Sequence, residues 1–362
     1  MRRAWSRSSR LPAVLATAGV AAGAAVANSV ASAEPSPSAA AAPPPRDGHH
    51  YIPSSQGVSV VIYGYRSCPF ANKVYAFLDH HKVPYSVVEV NPLFKAEAKW
   101  QSYKRLPFAI INGRQVNDSD DIIDAVAALV RQQRDARTTK LPASAAAHGA
   151  SAGEAEAADH LAGSAALFAA PGSGGVRDLT PEEAEREDRW RAWCRDTFVH
   201  TLSPNIYRTP REAWQAFEYI GQVSFSSLYG LPAQCIGAAV MYLVGKKVAS
   251  KHGYDPKDVR GEMYSRMRVW TSEGLAGRPF CGGDSPNRAD LAMFGVLRAI
   301  YGLDAFTDLV ANTDVSGWYE RMQAAVGESS CYHRMFTQGT EMAAGPHAEA
   351  PLSSLAKEAD RA

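Results

Sequence analysis

The stretch that decides the reading is VSVVIYGYRSCPFANKVYAFLDH, residues Val58 to His80. Its opening, Val58 to Tyr63, is a short β-branched run without charge, the composition of a buried strand. After Cys68-Pro69 the period changes, and Val74, Phe77 and Leu78 fall on one face of a helix over 69–81. Pro69 suits the first helical turn, where no N–H bond is lost. Cys68 therefore stands between the carboxyl end of a strand and the start of a helix, facing unpaired N–H groups and the positive end of the helix dipole. Such positions bring a cysteine pKa down to about 3.5–7.5, so the sequence predicts a nucleophilic thiolate near neutral pH. Arg66 adds positive charge, and the Tyr65 hydroxyl is placed to donate a hydrogen bond to sulfur. The competing reading of these residues is a buried, inert cysteine opening a helix.

Outward from there, strand and helix alternate. Pro84 to Val90 reads as a second strand, and Asn91-Pro92 opens a helix through Trp100. Phe108 to Ile111 and Arg114 to Val116 form a hairpin around Asn112-Gly113, a type I′ turn signal. Asn117-Asp118-Ser119 starts a helix carrying Ile122, Ile123, Val126 and Leu129. The order βαβαββα over residues 57–130 is that of an α/β thioredoxin-like domain, with Cys68 at the sheet's carboxyl edge, where open α/β sheets place ligands. Leu106-Pro107 occupies the place where this fold carries a cis proline facing the cysteine. In the cis form the Leu106 backbone is free to pair with a peptide-like ligand as a strand does. Asp118 and Ser119 are placed to hold an α-amino and an α-carboxylate group. The alternative there is plain helix capping by Ser119, and Asp120 and Asp121 weigh against a strongly anion-attracting pocket.

Residues 179–340 read as all-α. Thr180-Pro181-Glu182-Glu183 and Thr209-Pro210-Arg211-Glu212 are capping boxes with proline at the first helical position, and Asp255-Pro256-Lys257-Asp258 is similar to them. Trp190, Trp193, Phe198 and Leu202 form an apolar stripe. Asn287 and Asp290 cap a helix with Leu291, Phe294, Leu297 and Ile300, stopped by Gly302. Cys194 and Cys235 read as core, and His80-His81 as charge placed at a helix C-terminus.

The remaining segments are not core. Residues 1–33 carry Arg2, Arg3, Arg7 and Arg10 and no acid, followed by an alanine-rich uncharged run. The expectation is a mitochondrial presequence whose apolar part also tethers the chain to a membrane. A secretory signal ending at Ala31-Ser32-Ala33, leading to a secretory-pathway or Golgi membrane, competes with it, as does a cytosolic product of processing. Residues 34–56 and 131–178 are low-complexity linkers, and 341–362 a tail. The 362 residues carry 38 basic and 37 acidic side chains, a net charge of +1, which gives no drive toward nucleic acid. Five dispersed cysteines without a CxxC argue against a disulfide framework and a structural zinc site.

Tyr63 to Phe70, Val74 to Pro92, Ala96 to Pro107 and Asn117 to Ile123, with Ser203 to Pro210 and Asn287 to Phe306, give the chain a resemblance to the prostaglandin E synthase 2 family. These are glutathione-transferase-like proteins with a glutaredoxin-like N-terminal domain. The resemblance implies an α/β thioredoxin-like domain followed by an all-α glutathione-transferase-like domain, and isomerisation of prostaglandin H2 to prostaglandin E2. It implies that Cys68 supplies the activated thiol and Tyr65 its hydrogen bond, with glutathione held by Leu106, Pro107, Asp118, Ser119 and Arg66. Haem near Cys68, a homodimer, and membrane association through the N-terminus are further family expectations. The departure is Ala71, which stands where the family motif carries its second cysteine. Two other readings are therefore carried alongside: a monothiol glutathione-dependent thiol transferase, and a haem- or glutathione-binding protein without prostaglandin turnover.

Overall fold

The computed structural model describes residues 58–91, 95–140, 179–224 and 230–335, so the segments read as a presequence, first linker and tail, and most of that read as the second linker, lie outside the described residues. The decisive stretch folds as read. Strand β1 (Val60–Gly64) leads into helix α1 (Pro69–His80). Strand β2 (Tyr85–Glu89) lies parallel to β1, pairing Ile62 with Val87. Strand β3 (Phe108–Ile111) is antiparallel to β1, pairing Tyr63 with Phe108, and β4 (Arg114–Asn117) completes the hairpin. Asn112 and Gly113 both take positive φ, 50° and 79°, as a type I′ turn requires. Of the helix predicted from Asn91 through Trp100, the described residues 95–100 form a single 3-10 turn at Ala96–Ala98. The next helix, α2, extends from Ser119 to Lys140, into the stretch read as low-complexity.

The second unit is helical as expected: α3 (Pro181–Trp193), α4 (Leu202–Ile206), α5 (Pro210–Ser224), α6 (Gly230–Lys251), α7 (Val259–Val269), α8 (Arg288–Arg298), α9 (Asp304–Asn312) and α10 (Ser316–Val326). The capping boxes at Thr180 and Asn287 are both formed. At Thr209 the reciprocal bonds with Glu212 are present too. At 255–258 the cap is Asp258, whose carboxylate accepts from the Gly261 N–H at 2.9 Å, so that helix starts later than the sequence suggests.

One strand was not foreseen. Cys331–Met335 forms β5, parallel to β2, and the sheet order is β4-β3-β1-β2-β5. The end of the helical unit thus closes an edge of the first unit's sheet. The two units share one continuous core, in which α1 lies between the sheet and α8. At the α1–α8 crossing, Gly295 is packed so closely that a Cβ on it would lie 2.4 Å from the Asn72 carbonyl oxygen. Trp270 touches Trp190 and Trp318 edge-on at 5.6 and 5.4 Å within this core. On the other side of the sheet Val61, Tyr63, Val88, Leu106 and Phe108 form a smaller cluster, with Tyr63 stacked on Phe108 at 4.4 Å. β1 is therefore buried on both faces, which explains its unbroken apolar run.

Candidate functional site

Pairing between strands assembles the site. Tyr63 sits opposite Phe108, and Phe108 opposite Asn117. The residues just beyond each pair, Tyr65 to Cys68, Leu106-Pro107 and Asp118-Ser119, therefore converge at one edge of the sheet. The Leu106–Pro107 peptide is cis, a point that the sequence left open. A Cβ on Gly64 would stand 3.0 Å from the Ala71 Cβ and 4.0 Å from that of Pro107, so the proline packs beside the start of α1. Among the described residues, neither the N–H nor the C=O of Leu106 enters a backbone hydrogen bond. That free edge is what a peptide-like ligand needs.

Cys68 is the N-cap of α1, followed by Pro69 in the first turn. Its N–H donates to the Tyr65 carbonyl at 3.0 Å, closing a turn over Tyr65 to Cys68. Asn72 braces this turn by donating from Nδ2 to the Arg66 carbonyl at 2.7 Å and to the Cys68 carbonyl at 3.0 Å. The Asn72 side-chain oxygen in turn accepts from Arg298 Nε of α8 at 3.3 Å, tying the turn to the helical unit.

The expected acidic thiol is not what the structure holds. Cys68 is 1% exposed, and burial pushes its thiol up to about 11. The backbone N–H groups of Ala71 and Phe70, the Tyr65 hydroxyl and the Lys95 charge all pull the other way. The helix-start geometry and the Tyr65 hydrogen bond are both present, and desolvation outweighs them. Arg66, expected to lend charge to the sulfur, is exposed; its N–H donates to Glu89 Oε1 at 2.7 Å, while Lys95 is the cation that acts on Cys68.

At the start of α2 the capping role falls to Asp118 and not Ser119. Asp118 has φ of 71°, a region that Asp tolerates better than most residues, and its Oδ1 accepts from the Asp120 N–H at 3.0 Å. Ser119 is the first helical residue and is 1% exposed. Tyr103, missed in the sequence, joins this edge through a hydrogen bond between its hydroxyl and the Asp118 backbone. Asp120 does not repel anions as its sequence position suggests. It is paired with Lys73 at 2.7 Å, Arg195 at 3.3 Å and Arg191 at 3.5 Å. Burial raises its pKa, but the charges of Lys73, Arg191 and Arg195 outweigh burial and hold the carboxyl well below the usual range.

The free Leu106 backbone and the half-buried Asp118 lie together at this edge of the sheet, with Ser119 buried beside them. For haem these residues offer no comparable set: the groups acting on the buried Cys68 sulfur include Tyr65, Lys95 and backbone N–H, and none of them points to a porphyrin. Nor could any group of three or more His, Cys, Asp or Glu among the described residues hold a metal ion. No helix among those residues is long and apolar enough to cross a membrane. Cys194 is core as expected, whereas Cys235 is exposed on α6.

Residues 62–134 match the family model of the glutathione S-transferase N-terminal domain. Among solved structures, glutathione transferase F7 from Populus trichocarpa is 12% identical, with 73% of this chain and 93% of that one covered at a TM-score of 0.43. Among curated relatives, prostaglandin E synthase 2 of Danio rerio is 37% identical over 272 residues, 74% of this chain and 71% of the relative. Prostaglandin E synthase 2 of Mus musculus is 36% identical over 291 residues, 78% and 74% of the two chains. Identity at that level, running through both folded units, places the chain in the prostaglandin E synthase 2 family.

Proposed function

We propose that this chain is a glutathione-using isomerase that converts prostaglandin H2 to prostaglandin E2, with Cys68 as the reacting thiol. The observation that carries the reading is the setting of Cys68 in a chain of this family: a single thiol at a helix start, bonded by Tyr65 and two backbone N–H groups. With its value pushed up to about 11, the resting thiol is protonated and gives up that proton as it attacks. Sulfur attacks one endoperoxide oxygen, an S–O bond forms as the O–O bond breaks, and the proton of the thiol passes to the other oxygen, which becomes the hydroxyl. The carbon bearing the sulfur-bound oxygen then loses its proton, the ketone forms, and the S–O bond breaks to return the sulfur. The sum is an isomerisation, with no external oxidant or reductant. Charge developing on Cys68 is met by Tyr65, the Phe70 and Ala71 N–H groups and Lys95, groups already aimed at the sulfur. Glutathione, when bound, supplies a second thiol. Leu106 through its backbone, Pro107, Asp118 and Ser119 are the residues that would hold it.

The thiol-transferase reading has one observation in its favour: Ala71 leaves Cys68 without a vicinal partner. Burial weighs on both readings, because attack by sulfur depends on the thiolate fraction and Cys68 is pushed up to about 11; the family of the chain favours the isomerase. Homodimerisation, which rests on the family resemblance alone, and attachment to a mitochondrial or other membrane through residues 1–33, which rests on the arginine and alanine pattern of that segment, belong to the same proposal. The test is a side-by-side assay of prostaglandin H2 and a glutathionylated peptide with the purified chain and glutathione. Conversion of the endoperoxide with slow deglutathionylation is expected. Rapid deglutathionylation without endoperoxide turnover would replace this reading by the transferase.

A further inference from the structure

Glu89 closes β2 and directs its carboxylate at the turn that carries Cys68. Oε1 accepts from the Arg66 N–H at 2.7 Å, and Oε2 from Arg334 Nη1 at 2.5 Å. Arg66 is the second residue of the turn that the Cys68 N–H closes on Tyr65. Arg334 arrives from β5, 245 residues further along the chain, and its guanidinium lies 5.4 Å from the centre of the Tyr75 ring. The other end of β5 is held by Asp79 of α1, whose Oδ1 accepts from the Ser330 N–H at 2.9 Å and the Ser329 hydroxyl at 3.1 Å. Strand β5 is thus pinned at both ends to carboxylates of the thiol-bearing unit, and one of those two also holds the thiol's turn.

We propose that Arg334 is a positioning residue for Cys68: it fixes the Glu89 carboxylate, Glu89 fixes the Arg66 N–H, and the turn held in this way sets the depth of the sulfur. Glu89 is 4% exposed, and its counter-charge is this arginine. A buried carboxylate that loses its partner turns to water or takes up a proton. Either response weakens the charge-assisted bond to the Arg66 N–H. Cys68 keeps its other partners, namely Tyr65, the Phe70 and Ala71 N–H groups and Lys95, and the phenol of Tyr75 also faces it. What changes is how deeply the turn seats the sulfur among them. This inference rests on Cys68 being the working thiol.

The experiment is alkylation of Cys68 against pH in the full chain, read by mass spectrometry of its peptide so that the other cysteines do not interfere, with and without glutathione. Arg334→Met keeps the apolar cover over Tyr75 and removes the charge; Arg334→Lys keeps the charge. In Arg334→Met the titration midpoint is expected to fall by at least one unit from about 11 toward the ~8.5 of a free cysteine. Labelling at a fixed pH below that midpoint is then about tenfold faster, and glutathione protects less. Arg334→Lys should stay close to wild type, an outcome that a generally loosened fold does not produce. A folded Arg334→Met with the wild-type profile would overturn the proposal. If Arg334→Met does not fold, Glu89→Gln, which keeps an acceptor oxygen and removes the charge, is expected to shift the midpoint the same way, and a wild-type profile there overturns it equally. Absence of glutathione protection in the wild-type chain would count against the functional reading of the site. The pH profiles of the variants would still decide the role of Arg334.

Discussion

The α1–α8 crossing joins the two units under the thiol, and Gly295→Ala is the perturbation that isolates it. The added methyl would lie 2.4 Å from the Asn72 carbonyl oxygen and 2.6 Å from the Asn72 carbonyl carbon and the Lys73 nitrogen, against an ordinary contact of 3.4 Å or more. All three neighbours are backbone atoms, so relief requires the helices to part by about 1 Å, the difference between 3.4 and 2.4 Å. Overpacking of this kind costs about 1–3 kcal/mol, or a few degrees of melting temperature per kcal/mol in a unit of this size. Gly317→Ala in α10 is the control, because the only nearby atom is Arg321 Nη1, 3.4 Å away at the end of a flexible side chain. Replacing a helical glycine there should stabilise by about 0.5–1 kcal/mol. Thermal melts and denaturant titrations of the two variants give the comparison, and Cys68 alkylation reports whether the strain reaches the Asn72 brace. Melting of Gly295→Ala within a degree of wild type would refute the close crossing.

Three further outcomes are expected. Tyr65→Phe removes a hydrogen bond from the Cys68 sulfur; at about 1.5 kcal/mol for a bond to a charged group, the thiol titrates about one unit higher, seen in the pH dependence of alkylation. Asp120→Asn strands the fully buried Lys73 and should cost about 3–5 kcal/mol by denaturant titration; because the Asp120 value is depressed in the fold, the stability it contributes is present above its usual 3.8 and lost as pH falls below it. Burial, then the charge of His80, lowers the His81 value from 6.5 to about 3, so its neutral form favours the fold and stability declines as pH drops through 6.5 toward 3; His81→Gln should flatten that part of the stability–pH curve.

What the sequence showed of this site, and what it hid, divides along the range of the forces involved. The strand, turn and helix around Cys68 were legible because side-chain periodicity is local, and so were the Thr180, Thr209 and Asn287 caps, whose bonds span three residues. β5 was not, because CYHRM has no strand signal of its own and depends on β2 beside it. The thiol's chemistry was half legible. The helix start and Tyr65 are neighbours in sequence, but the burial that reverses their effect comes from a core spanning both units. Asp120 read as a repelling acid because Arg191 and Arg195 approach it from a helix more than 70 residues away. Lys95 in place of Arg66, and Cys235 on the outside of α6, were misread for the same reason: neither position is fixed by its immediate neighbours.

The most direct measurement is the yield of prostaglandin E2 from prostaglandin H2 with the purified chain and glutathione, wild type against Cys68→Ser, over spontaneous decay of the endoperoxide. The account predicts turnover in the wild type that falls to the spontaneous level in Cys68→Ser while the fold, judged by its melt, is kept. Equal turnover in the two proteins would contradict it and leave Cys68 as a buried residue of the core.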